Sequence, residues 1–470
     1  MSFVQDARRI APLAWPVFVG QVAVLAFATV DTVLVGRFAA LDLAALAIGG
    51  AVYMIVFIGL MGTVLAVGPI AGQQFGAKRM AEAGAQLNQA IWLALGLSVL
   101  GSTLLLFPQP FLALARAEPA VALKVRAYLG ALAVALPAAL IFTAFRGFSV
   151  AVSRPLAVMA LQLGALALKL PLTWLLIHGF ALPAPLGEWR VPPLGVAGCS
   201  IATAIAMWGQ CLAAALLLRR DRFYAPFGLH RRGLPRPDAA SQRALLRLGV
   251  PMGLATGLEV TAFTSMSFFI ARFGTTAVGG HQIAINLVSM MYMMPLALSI
   301  AAGTLVAQRL GAGDDRDARR LCWHSLELAI AIAALMGGGV FLAREALLGA
   351  YTRDAAIVAA ALPLLAWLIL FHIGDAAQSI AAFVLRAYRI ATLPMLIYAA
   401  SLWGVGMVGG YLLAFDVTGR TPAALRGAPG YWAAFTLGIT LAALLLVGLL
   451  AWVLRTKRRE QRAERSRALQ

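Results

Sequence analysis

Charge is scarce in this sequence of 470 residues, with only 12% of positions Asp, Glu, Lys or Arg. A water-soluble domain carries about a quarter charged residues, because its surface must be solvated. The scarcity excludes that class. Cysteine is rarer still. Cys199, Cys211 and Cys322 are an odd number without metal-like spacing, so neither a disulfide framework nor a zinc site is expected. No G-x-x-x-x-G-K-[ST] loop occurs, which excludes an ATP engine within the chain. The net charge of +19 is not accompanied by interleaved stacking aromatics, and nucleic-acid binding is set aside.

Apolar residues are abundant: 61% of the chain, in long runs that recur from end to end. A membrane-crossing helix needs about 20 such residues. Lipid offers no partner to backbone N–H and C=O groups, so continuous runs of this length read as helices and not as barrel strands. Twelve spans are expected, near 12–36, 44–71, 87–108, 121–144, 155–180, 195–218, 246–271, 278–307, 322–343, 356–384, 392–415 and 431–454. The fold class is therefore an all-α polytopic membrane protein. The N-terminus runs into an apolar stretch without a small-residue cleavage site and reads as a retained first span. Most Lys and Arg fall on one side of the twelve-span arrangement. The richest segments are RRDRFYAPFGLHRRGLPRPDAASQR in the middle and RTKRREQRAERSR at the end. The positive-inside rule places these segments and both termini in the cytoplasm of a cell (inner) membrane protein. The expected organisation is a bundle at 1–218, a basic linker at 219–245, a second bundle at 246–454 and a basic tail at 455–470.

The two halves repeat. At one constant offset, without a gap, Pro16 meets Pro251 and Thr29 meets Thr264. Arg37-Phe38 then meets Arg272-Phe273, Gly68 meets Gly303, Gln73 meets Gln308 and Gly76-Ala77 meets Gly311-Ala312. Further on, Arg146-Gly147-Phe148 meets Arg386-Ala387-Tyr388 at a slightly larger offset. Six spans per half keep the halves in the same orientation. That predicts parallel, pseudo-symmetric six-helix bundles of the kind secondary transporters use, with a cleft between them.

The segments AWPVFVGQVAVLAFATVDTVLVGRF, GPIAGQQFGAKR, LGVAGCSIATAIAMW, VPMGLATGLEVTAF and GDAAQSIAAFVLRAYRIATLPM resemble the multidrug and toxic compound extrusion (MATE) transporters, in particular the NorM-type branch. Their order and the internal repeat extend the resemblance over nearly the whole chain. It implies a cation-coupled antiporter, not an enzyme, that exports bulky amphipathic, often cationic compounds in exchange for Na⁺ or H⁺. No cofactor beyond that coupling ion is expected. The partners are the bilayer and the exported small molecules, and the chain is expected to work as a monomer.

Three acids lie deep in apolar runs: Asp31, Glu259 and Asp375. An ionised carboxylate there costs several kcal/mol unless it faces water or a partner, so each is a functional candidate. Glu259 and Asp375 both fall near mid-span in the second half. Two carboxylates sharing one pocket require either a proton on one of them or a cation between them, which is what ion coupling needs. Lys169 departs from the family pattern, in which that position usually carries Asn. Its depth in span five matches that of Asp31, and two readings stand. It pairs with Asp31 and removes the need for a mobile ion there, or it snorkels to the headgroups. Phe371, one turn before Asp375, can lean on a cation through its ring face. His372 can shuttle a proton. His281 and His324 read as interfacial, and GAGDDRDARR as a solvated turn.

Two other functions remain open. A lipid-linked oligosaccharide flippase of related fold would need a more arginine-rich interior for a pyrophosphate. A polytopic transferase would need a metal or phosphate site on cytoplasmic loops, for which only the Asp314–Asp317 cluster offers itself.

Overall fold

The structure, a computed structural model, describes residues 3–114, 118–181, 190–229 and 233–468. His230, Arg231 and Arg232 of the central basic segment lie outside these. Among the described residues, twelve helices are long and apolar enough to cross a membrane. They are α1 (Phe3–Phe38), α2 (Ala40–Gly76), α3 (Met80–Leu106), α4 (Pro119–Ala151), α5 (Pro155–His178) and α6 (Val196–Arg220), then α7 (Ala239–Phe273), α8 (Thr275–Gly311), α9 (Asp315–Leu342), α10 (Leu368–Ala387), α11 (Thr392–Ala414) and α12 (Ala428–Glu460). The sequence expects the same twelve. The run expected at 356–384 is divided, with a separate helix Ala355–Ala366 and a break at Trp367, whose N–H turns back to the Leu364 carbonyl. A two-residue antiparallel pair, Phe180–Ala181 with Arg190–Val191, joins α5 to α6.

Chain contacts divide the molecule into two units. The first is Trp15–Gly253, and the second is Met1–Ala14 with Leu254–Gln470. In the first unit α4 is the most buried span; in the second it is α10. Both are rich in Ala. Without a hydrophobic drive between helices in lipid, small residues that let backbones approach are what make a central helix packable.

The repeat visible in the sequence extends to backbone conformation. α2 ends with Lys78 at φ 62°, and α8 ends with Gly313 at φ 73°. In the first case Lys78 N–H bonds Phe75 O and Arg79 N–H bonds Gln74 O. In the second, Gly313 and Asp314 bond Leu310 and Arg309. These are the same left-handed helix closure at the same repeat position. α4 and α10 also share a closure, through Ser153 and Arg389. The offset between these two is four residues smaller than between Arg146 and Arg386. α4 therefore runs one extra turn past its Arg.

The central basic segment is docked on the first unit. Residues Arg222–Phe227 form a short 3₁₀ helix that buries Tyr224 and Phe227, and the Phe227 ring meets Phe148 edge-on. The Gln89 side chain on α3 donates to Arg236 O and accepts from Asp238 N–H, while Trp92 Nε1 donates to Pro235 O at 2.8 Å.

The second unit begins with an ion cluster. The Asp6 carboxylate is fully buried. It accepts from Arg320 Nε at 2.9 Å, His324 Nδ1 at 2.7 Å and Arg9 Nη1 at 3.1 Å. Asp317 holds Arg9 Nη2 and Arg309 Nε, each at 3.0 Å, and also Arg320. Two expectations are corrected here. His324 is committed to Asp6 and not to headgroups, and Asp317 is a buried anchor, not part of a solvated turn. Low-dielectric surroundings reward such mutual pairing where single charges would be costly.

The start of α7 crosses α2 at very close range within the first unit. A Cβ on Gly253 would stand 2.4 Å from Gly59 O, and one on Gly249 would stand 2.3 Å from Thr63 O. Both obstacles are backbone and cannot rotate away. Gly253→Ala should therefore destabilise the protein by about 1–3 kcal/mol, the usual cost of overpacking. Gly257→Ala, where an added Cβ meets no side chain or neighbouring helix within 4 Å among the described residues, should be neutral or mildly stabilising. Thermal unfolding in detergent checks this, and equal melting temperatures for the two variants would refute the close crossing.

Candidate functional site

In the second unit, Glu259 lies in the middle of α7 and Asp375 in the middle of α10. The structure brings them together through a residue the sequence reading passed over. The side-chain amide of Gln378 donates from Nε2 to Glu259 Oε1 at 3.1 Å and to Asp375 Oδ1 at 2.9 Å. Gln378 follows Asp375 by three residues, so both project from one face of α10. Asp375 and Gln378 are 4% and 1% exposed, Glu259 is half-buried, and the two acids share one nitrogen.

The other end of the Gln378 amide is also held. Its Oε1 accepts the hydroxyl of buried Tyr398. Tyr398 ends the first segment of α11, and residues Ala399–Val408 then follow a π-helical path. Such wide turns are uncommon and gather at functional sites. From this stretch Trp403 Nε1 donates to Leu258 O at 3.1 Å, next to Glu259. On the α8 side, Ser379 Oγ donates to the Tyr292 hydroxyl at 3.3 Å. Arg386, further along α10, acts electrostatically on Glu259 and stacks its guanidinium 4.3 Å over Phe383. Gln378 could have been found from its spacing to Asp375. Tyr292 and Tyr398 carried no such signal, since a mid-span Tyr is ordinary membrane filler.

Phe371 and His372 sit beside this group. Phe371 is buried in an aromatic cluster, with its ring centroid 6.0 Å from Phe263 and 5.7 Å from Trp432. His372 is fully buried, and neither ring nitrogen has a hydrogen-bond partner among the described residues. His281, expected at the interface, is buried instead. The indole of Trp432 can only donate, and its Nε1 lies 3.2 Å from His281 Nδ1. Nδ1 is therefore the acceptor, and Nε2 carries the proton that it gives to Ser267 Oγ at 2.8 Å. That makes His281 a neutral packing residue.

In the first unit Lys169 does not snorkel. It is 1% exposed, and its ammonium donates to Asp31 Oδ2 at 2.7 Å. Its Nζ lies 3.5 Å from Phe27 O and 4.5 Å from the centroid of the Phe27 ring. A carbonyl, a carboxylate and a ring face thus surround one buried cation. Asp31 Oδ1 and Thr173 Oγ1 are buried without partners among the described residues. The Asp–Lys pairing fits a site whose acid is neutralised by a tether, whereas among the described residues the Glu259–Asp375 pair is bonded by the neutral Gln378 amide and by no cation. Among the described residues no group of three or more His, Cys, Asp or Glu could hold a metal ion.

The MatE family model matches residues 16–175 and 251–412, one copy in each half and in the register of the internal repeat. The chain is 38% identical to a probable multidrug resistance protein NorM of Aromatoleum aromaticum, covering 96% of this chain and 95% of the relative. It is 31% identical to the multidrug resistance protein PmpM of Pseudomonas aeruginosa, covering 94% of this chain and 90% of that protein. Among solved structures, the eukaryotic MATE transporter AtDTX14 shares the fold with TM-score 0.82 and 20% identity over 98% of this chain and 99% of that one. The Vibrio cholerae MATE transporter VcmN, in its bent form, matches with TM-score 0.80 and 18% identity over 97% of this chain and 98% of that one. None of these relatives is an enzyme. With the twelve spans, the doubled family match and the full-length relatives agreeing, the chain belongs to the multidrug and toxic compound extrusion family of membrane transporters, in its NorM-type branch.

Proposed function

We propose that this protein is a cation-coupled antiporter that exports lipophilic, often cationic drugs and toxic compounds by alternating access. It works as a monomer in the inner membrane, with both termini in the cytoplasm. The observation that carries the reading is the shared Gln378 nitrogen, which joins Glu259 and Asp375 while leaving their negative charge unmatched by any touching cation. Such a pair is costly in a low-dielectric interior until a positive species arrives. A coupling cation, Na⁺ or H⁺, supplies that charge from outside, and a cationic substrate competes for the same field. Competition of this kind gives each ligand a different affinity for the two states of the transporter, the only way a ligand shifts such a balance. That the relatives are named multidrug resistance proteins supports the substrate class.

Asp31 takes a different role. Its negative charge is already answered by Lys169, so the first unit needs no mobile ion at that acid. Coupling then rests on Glu259 and Asp375.

Export of a fluorescent lipophilic cation from vesicles under imposed pH or Na⁺ gradients tests the reading. Glu259→Gln and Asp375→Asn should each reduce gradient-driven export to the level of vesicles without the protein. Normal export in both variants would remove these acids from the mechanism. For the first unit, Asp31→Asn or Lys169→Asn alone strands a buried charge, an expected loss of about 3–5 kcal/mol of stability. The double variant should recover much of that. Melting temperatures of the four proteins form the cycle, and strictly additive losses would mean that the two side chains do not stabilise each other.

A further inference from the structure

We propose that Gln378, held by Tyr398, selects the proton as the coupling ion by presenting donor hydrogens, and not an oxygen, to the two acids. This rests on the antiport reading above and deepens it.

Donors and acceptors around the pair decide which ion fits. Ionised carboxylates are acceptors only, and an amide has one donor end and one acceptor end. Gln378 places a single nitrogen within hydrogen-bond distance of both Glu259 and Asp375, so its two N–H groups face the acids. Its carbonyl oxygen is then turned to Tyr398, whose hydroxyl donates to it. Tyr398 has little freedom to move. It is 3% exposed, and it leads into the π-helical stretch that Trp403 ties to the Leu258 carbonyl.

Sodium requires a shell of oxygen ligands at short range, as other hard cations do. In this arrangement the space between the acids is bordered by N–H groups that point their positive ends inward. A Na⁺ bound there would have to turn the amide over, and Tyr398 would have to give up its acceptor and find another for its proton. A proton needs none of this. It adds to a free oxygen of one carboxylate, while Gln378 keeps donating to the other. The remaining charged or titratable groups that act on these acids are Arg386 on α10 and Tyr292 on α8. Arg386 is a cation and offers no oxygen, and the Tyr292 hydroxyl, which receives the Ser379 proton, is a single oxygen where a sodium shell needs several.

Two substitutions reverse the arrangement without touching the acids. Tyr398→Phe frees the amide to rotate and expose its oxygen. Gln378→Glu replaces the donor nitrogen with an acceptor oxygen. Full-length protein in proteoliposomes, with a fluorescent lipophilic cation as cargo, is driven in separate arms by a pH gradient without Na⁺ and by a Na⁺ gradient at clamped pH. Wild type should respond to the pH gradient alone. Each variant should raise the ratio of Na⁺-driven to pH-driven rate by about tenfold, the change expected from the loss of one buried hydrogen bond. A second readout covers variants that transport poorly. Na⁺ titration followed by tryptophan fluorescence in detergent should be flat in wild type and saturable in Tyr398→Phe and Gln378→Glu. Na⁺-driven export by wild type that is lost in Glu259→Gln would overturn the ion choice while leaving the antiport reading intact. Unchanged Na⁺ responses in both variants would do the same. Failure of either gradient to drive wild-type export would instead sink the antiport reading.

Discussion

A negative side chain surrounded by lipid and packed helices has to be answered by a positive charge, and the two units of this protein answer it in opposite ways. In the first, Lys169 supplies a permanent, covalently attached cation to Asp31 at 2.7 Å. In the second, Glu259 and Asp375 share the neutral amide of Gln378, and among the described residues no cation bonds them directly. An amide hydrogen bond lowers the cost of a carboxylate but does not cancel its charge. One acid is thereby matched by a fixed cation and the other two are not, and the proposed coupling rests on that asymmetry.

This asymmetry is laid over a repeat that is otherwise carried into fine detail. The left-handed closures at Lys78 and Gly313 recur at one offset, and α4 and α10 are the central helices of their units. The acids do not follow the repeat. At the same offset Asp31 meets Met266, and Glu259 meets Val24. Packing constraints act on every turn of a helix and so preserve register after duplication. A charged residue acts at one point and can be moved from one copy to the other while the scaffold stays the same. The first unit uses its freedom to bury a Lys. The second uses it to gather an acid pair beneath a π-helical segment that is fixed by Trp403.

Much of this was legible in the residues. Spans appeared because apolar runs of membrane length cannot be anything but helices in lipid. The acid trio appeared because buried charge is rare. Depth along the helix, at about 1.5 Å per residue, put Lys169 level with Asp31, and the two are bonded. What was not legible depends on rotation about helix axes and on neighbours remote in the chain. Gln378 and Tyr398 look like ordinary polar residues until α10 and α11 are packed. Asp317 looked solvated and His324 interfacial because their partners, Arg9 and Asp6, lie some three hundred positions earlier. The break at Trp367 and the π-helical path after Tyr398 are choices of backbone hydrogen bonding among near-equal alternatives, which composition does not record.

On this account a substrate and a coupling cation exchange for the charge of Glu259 and Asp375. Counting the cations set free when a lipophilic cation binds the purified protein, with a pH indicator and a Na⁺-sensitive dye in weakly buffered detergent solution, tests that exchange without transport. Release of bound cation that saturates together with substrate binding, and that disappears when both acids are made neutral, is the predicted result. Tight substrate binding with no release of either ion from the native protein would contradict it.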